Sequence, residues 1–149
     1  MAKTTFKVEG LRELLDGLSE LKKPTQTNVL KRALMKAGEP VERDAVARAP
    51  HLKGQLKRSF GAGTKLTRRQ KRLHPKESKV EVYIGTGNIP HGHLQEFGSS
   101  RHAAQPFLRP AWDGNKMRVL ESLKNDLAME IEKARQRAAR KAARLAAKQ

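Results

Sequence analysis

Hydrophobic positions recur along the chain with two different periods. In residues 4–10, "TTFKVEG", Phe6 and Val8 alternate with Lys7 and Glu9, which predicts a short strand. After Gly10 the period lengthens. Leu11, Leu14, Leu15, Leu18 and Leu21 fall on one stripe opposite Arg12, Glu13, Asp16 and Glu20, the pattern of an amphipathic helix. Gly17 weakens it slightly, and "KKP" ends it. A second helix is predicted from Thr27, an N-cap type, with Leu30, Ala33, Leu34, Ala37, Val41, Ala45 and Ala49 on its buried face. The alanines there would admit close packing against the first helix. Pro40 offers no N–H to the carbonyl of Lys36, which predicts a kink or break around residues 38–40. Pro50 closes the element.

Beyond it, Gly54 reads as a turn and residues 56–60 as the opening of a strand. The clearest strand pattern is "KVEVYIG" (79–85), with Val80, Val82 and Ile84 inward and Glu81 and Tyr83 outward. Between these two strands, residues 61–79 read as a long basic hairpin loop, a length that structureless loops reach when they are functional or disordered. From about Pro110 a long helix is predicted, since proline suits a first turn and Arg109 before it is pushed from helical angles. Met117, Leu120, Leu123, Leu127 and Ile131 form its buried stripe. Past Ile131 that face holds only alanines and Leu145, so residues 133–149 should leave the core as a helical or disordered tail. Alone it would be a marginal helix that becomes ordered against a partner.

These elements predict an α+β fold: a small antiparallel sheet of three to four strands packed by two N-terminal helices and a long C-terminal helix. One domain would span residues 1–132. A sheet so small keeps at least one exposed edge, which a neighbouring subunit could cover.

Charge changes the picture more than length does. The 149 residues carry 32 Lys+Arg against 15 Asp+Glu, a net +17. Residues 61–79 contribute a net +6 and residues 133–149 a net +7, leaving +4 for all the rest. An ordinary core therefore bears two cationic appendages, suited to nucleic acid or to acidic protein surfaces. The candidate contacts are Lys65, Arg68, Arg69, Lys71, Arg72 and Lys76 in the loop, with Arg135, Arg137, Arg140, Lys141 and Arg144 in the tail. The chain has no cysteine, which removes disulfides, thiolate metal sites and cysteine nucleophiles. No apolar run approaches a membrane span and nothing resembles a signal peptide, so an intracellular, soluble protein is expected.

Candidate chemistry concentrates in residues 91–112, "HGHLQEFGSSRHAAQPFLRPAW". His91, His93, His102 and His51 have weak spacing for a metal, which needs three or four ligands. Glu96, Ser99 and Ser100 fit no nucleophile elbow, and "GAGTK" lacks the spacing of a phosphate loop. No cofactor, metal or catalysis is expected. The segment reads instead as a structural corner, in which Phe97, Phe107, Leu108 and Trp112 are buried for about 1.5–3 kcal/mol each. Gly98 would supply a backbone angle closed to other residues, and Gln105 is held extended before Pro106. With Glu96 and Pro110, these residues would staple the last helix to the sheet.

The order of motifs resembles a tailed-phage family, the small head–tail joining or tail-completion (neck) proteins of lambda-like siphophages. The likeness rests on "VEGLRELLDGLSEL", on Ala49, Pro50, Gly54, Leu56 and Ser59, and on "VYIGT". It continues through Glu96, Phe97, Gly98 and Ser99 to Ala104, Pro106, Phe107, Leu108, Pro110 and Ala111. Ser99 stands where threonine is usual, and both basic segments exceed the family's pattern. The resemblance implies a non-enzymatic virion protein at the neck, assembled in the host cytoplasm. It would act as a homo-oligomeric ring, a hexamer or similar, touching other neck and tail proteins and the DNA that passes through. A free basic nucleic-acid-binding protein is the other reading of the charge, although one tyrosine and one tryptophan give little stacking surface.

Overall fold

The computed structural model describes residues 10–50, 54–87, 89 and 91–147. The predicted strand at residues 4–10 and His51 lie outside them, Gly10 apart. Gly10 precedes helix α1 (Leu11–Ser19), and helix α2 (Lys23–Arg48) follows after a three-residue turn. The second helix therefore begins four residues earlier than Thr27 would suggest. Lys22 takes the extended cap conformation and Pro24 sits in the first turn, where a missing N–H costs nothing. Thr27 donates its hydroxyl back to the carbonyl of Lys23 instead of capping. Helix α2 also runs unbroken through Pro40. Ala37, Gly38 and Val41 around the proline are all buried, and this packing offsets the roughly 3 kcal/mol a mid-helix proline costs.

A single turn, α3 (Gln55–Arg58), replaces the predicted strand at residues 56–60. Gly54 takes a left-handed φ of 67°, and four helix-forming side chains then wind one turn that buries Leu56. Only two strands form among the described residues, β1 (Gly61–Gly63) and β2 (Tyr83–Gly85), paired antiparallel with Ala62 opposite Ile84. The described residues thus build a two-stranded ribbon and not the expected sheet of three to four strands. Ahead of β2, the Glu81 carboxylate accepts the amide N–H groups of Glu77 and Ser78 and closes a local turn.

Between the strands the basic segment is not structureless. Helix α4 (Arg68–Leu73) opens with a capping box, in which Thr67 and Gln70 exchange side-chain and backbone hydrogen bonds. After β2 comes α5 (His91–Phe97), a helix where an irregular corner was expected, and then α6 (Leu108–Ala146).

The core lies between α2 and α6, which run antiparallel. Ion pairs Arg32–Glu130 and Lys36–Asp126, at 2.7 and 2.5 Å, lie towards one end, and the Asn115–Asp44 hydrogen bond, at 2.9 Å, towards the other. The alanine face of α2 therefore serves α6 more than α1. One cluster joins Leu18 and Leu21 to Val29, Ala33, Leu127, Ile131 and Ala134; a second joins Val41, Ala45 and Ala49 to Leu56, Phe107 and Ala111. The predicted stripes drift at their ends, since Leu11, Leu15 and Met117 are exposed. The ribbon seats on α2 at Gly38, where a Cβ would stand 2.7 Å from the Ile84 methyl. Among the described residues no helix is long and apolar enough to cross a membrane.

Candidate partner and nucleic-acid interface

Glu96 organises the predicted corner. It is buried, and one carboxylate oxygen accepts the amides of Phe107 and Leu108 at 2.8 and 2.9 Å. Its other oxygen accepts the Arg109 amide and the Arg109 Nε, both at 3.0 Å. Phe107 is the N-cap of α6, so the carboxylate satisfies the cap and first two residues, and Pro110 has no N–H to satisfy. An acid from a different helix thus does the work of an N-terminal cap, favoured further by the helix dipole. This explains why α6 starts at Leu108 and holds Arg109 helical despite the following proline. Burial alone raises the Glu96 pKa, but the three amides and the guanidinium together hold it below the ordinary carboxylate value.

The corner does not bury all its rings. Phe107 is fully buried, edge-on to Phe60 at 5.5 Å, whereas Phe97 and Trp112 are 67% and 51% exposed. Position explains this: the last turn of α5 and the outer face of α6 leave these rings outside the α2–α6 seam. Phe97 is capped instead by the Arg109 guanidinium, 4.8 Å from the ring centroid, a cation–π contact. Leu108 is half-buried, and Pro106 is exposed.

Gly98 has φ +79°, and a Cβ there would stand 2.9 Å from the Ala104 amide nitrogen. The loop behind it closes through Ser99 and His102, and through the Gln105 amide to the Gln95 carbonyl at 2.7 Å. Replacing Gly98 with alanine should therefore cost about 2 kcal/mol through left-handed strain and the close contact. Chemical denaturation of the variant against the parent chain measures it.

Among the described residues the histidines do not converge. His102 faces the Gln95 side chain at 3.1 Å, His91 and His93 are exposed on α5, and no group of three ligating side chains among the described residues could share a metal ion. Ser99 accepts a hydrogen bond from the Arg101 amide. A cavity of about 610 Å³ opens between the ribbon and α5, lined by His93 and Glu96 among others. Both carboxylate oxygens of Glu96 are already committed to α6.

The cationic side chains occupy two places. Arg68, Arg69, Lys71 and Arg72 are exposed on α4, with Lys65 and Lys76 exposed on either side of it. Arg137, Arg140, Lys141 and Arg144 are exposed on the last turns of α6, which bury nothing after Ala134. Arg135 differs, being drawn to Glu20 at 2.6 Å. Sequence reasoning missed Lys31 and Lys79, which join the first group. Together with Lys65, Lys71 and Lys76 they line a depression of about 500 Å³ between α2 and the segment carrying α4. Only folding places Lys31, on α2, beside residues more than thirty positions away.

No curated protein and no solved structure matches the chain. Residues 12–98 match the family described as "Bacteriophage HK97-gp10, putative tail-component". The match runs from α1 to Gly98, and the Glu96 latch therefore joins the matched part to α6, which lies beyond it. With more than half of its length matched, the chain belongs to the HK97 gp10-like family of bacteriophage tail components.

Proposed function

We propose that this tail component is a non-enzymatic protein of the head–tail junction, which completes the tail and joins it to the filled head. It would act as a closed ring of identical subunits, incorporated into the virion during assembly in the host cytoplasm. The observation that supports this reading best is the division of the molecule into a latched helical body and two exposed cationic projections, α4 with its flanks and the end of α6. The body provides a rigid unit, and the projections reach for DNA or for acidic neighbouring subunits. A two-stranded ribbon also leaves edge hydrogen-bonding groups for a neighbour. A head-to-tail contact that closes into a ring would cover such edges with different surfaces of the same protein.

A phage carrying a stop codon in this gene tests the proposal. Lysates should contain filled heads and tails lacking this last component that stay apart, visible by electron microscopy, and the purified protein should join them. Joined, infectious particles in its absence would refute the role.

A further inference from the structure

The depression between α2 and the α4 segment has a composition that the general charge of the chain does not explain. Five lysines line it: Lys31 from α2, Lys65 before α4, Lys71 on α4, and Lys76 and Lys79 after it. Glu81 is its one carboxylate. That carboxylate is already engaged by the Tyr83 hydroxyl and by the amides of Glu77 and Ser78, and it is held well ionised, with the Tyr83 bond its largest influence. None of the five lysines forms an ion pair with a described residue, whereas Arg32 and Lys36, neighbours of Lys31 on the same helix, both do. The fold thus gathers five ammonium groups without ion-pair partners around one hollow, against the single negative charge of Glu81.

We infer that this hollow is a seat for the phosphodiester backbone of double-stranded DNA, bound without regard to sequence. Several like charges held together repel one another, and a ligand bearing one negative charge could not compensate the excess that remains beside Glu81. A polyanion with closely spaced charges could. Lysine suits the task because it acts as a mobile point charge, while bidentate base or carboxylate recognition calls for arginine. Single-strand binding would need rings free for stacking. The two rings in the hollow, His74 and Tyr83, are packed edge-on against each other at 5.9 Å, so a duplex backbone fits better than unstacked bases. An acidic protein surface is the competing occupant.

This inference rests on the head–tail reading only for where the protein would meet DNA, and its test needs no phage particle. Binding of the purified full-length chain to a short mixed-sequence duplex is followed by fluorescence anisotropy across a salt series. Each phosphate contact contributes about −0.9 to the slope of log affinity against log salt. The double variant Lys31→Gln/Lys79→Gln should therefore flatten the slope by about 1.8. Five contacts would weaken binding about 500-fold between about 50 and 200 mM salt, and three contacts only about 40-fold. Lys22→Gln/Lys23→Gln lowers the net charge equally outside the hollow and should leave the slope unchanged.

Equal slopes for the parent chain and the Lys31/Lys79 variant would overturn the assignment, as would an equal loss in the Lys22/Lys23 control. A variant that loses affinity for polyglutamate but keeps its DNA affinity would give the hollow to an acidic protein instead. A chain that binds DNA as described, yet whose absence leaves heads joined to tails, would refute the junction role and leave the DNA seat standing.

Discussion

Replacing Phe107 with alanine should destabilise the protein by about 4 kcal/mol, within the range for deleting a buried aromatic side chain. Phe107 is the largest fully buried side chain of the core. It packs edge-on against Phe60 and joins α2, α3 and α6 in one cluster with Val41, Ala45 and Leu56. These neighbours are carried on helices already packed against one another and cannot close into the space, so most of the cavity would persist. Phe107→Leu should cost less than half as much. Urea denaturation followed by circular dichroism would check both, and a cost below about 1 kcal/mol for the alanine variant would contradict this account of the core.

Glu96→Ala should cost about 3 kcal/mol, for a different reason. No large cavity is involved. The loss strands the amides of Phe107, Leu108 and Arg109 at the start of α6 and releases the Arg109 guanidinium. Caps contribute up to about 2 kcal/mol, and hydrogen bonds to a charged group about 1.5–3 kcal/mol; the estimate sits near the top of those ranges because one carboxylate serves four donors. Glu96→Gln keeps the shape and loses the charge, so it should fall between. The sign of the pH dependence follows from the folded pKa, which lies below the ordinary value. Such a group contributes its stability above the unfolded glutamate pKa of about 4.3 and loses it as pH falls through the folded value. The stability advantage of the parent chain over Glu96→Gln should therefore be full above about pH 4.3 and shrink as pH falls through the folded value, as denaturation at a series of pH values would show. An acid transition identical in the two proteins would show that the latch is not ionised as described.

The two variants also separate two kinds of knowledge about this chain. Helix α6 was legible because its apolar residues recur at helical spacing from Met117 through Leu120, Leu123 and Leu127 to Ile131, and the cationic tail because seven basic residues stand there without an acid. The α+β class and the family followed from motifs that run along the chain, such as the glutamate, phenylalanine and glycine at positions 96–98. The same motif concealed its working part. Phe97 carried the apparent weight, yet it is exposed, and the charged residue beside it is the one buried. Periodicity reports which side chains avoid water; it does not report which polar group will be matched by backbone donors from a segment eleven residues on.

What the sequence by itself determined is whatever depends on neighbours within a few positions: the helical periods, the turn at Gly54, the left-handed position at Gly98, and the two blocks of charge. Tertiary structure alone decided the rest. It carried α2 through Pro40, because burial of Ala37, Gly38 and Val41 outweighs one lost hydrogen bond. It wound residues 55–58 into a helical turn where a strand was expected, because Leu56 is there buried in the second core cluster. It also placed Lys31 beside Lys65, Lys71, Lys76 and Lys79, since charges distant along the chain become one electrostatic site only when packing fixes the elements that carry them.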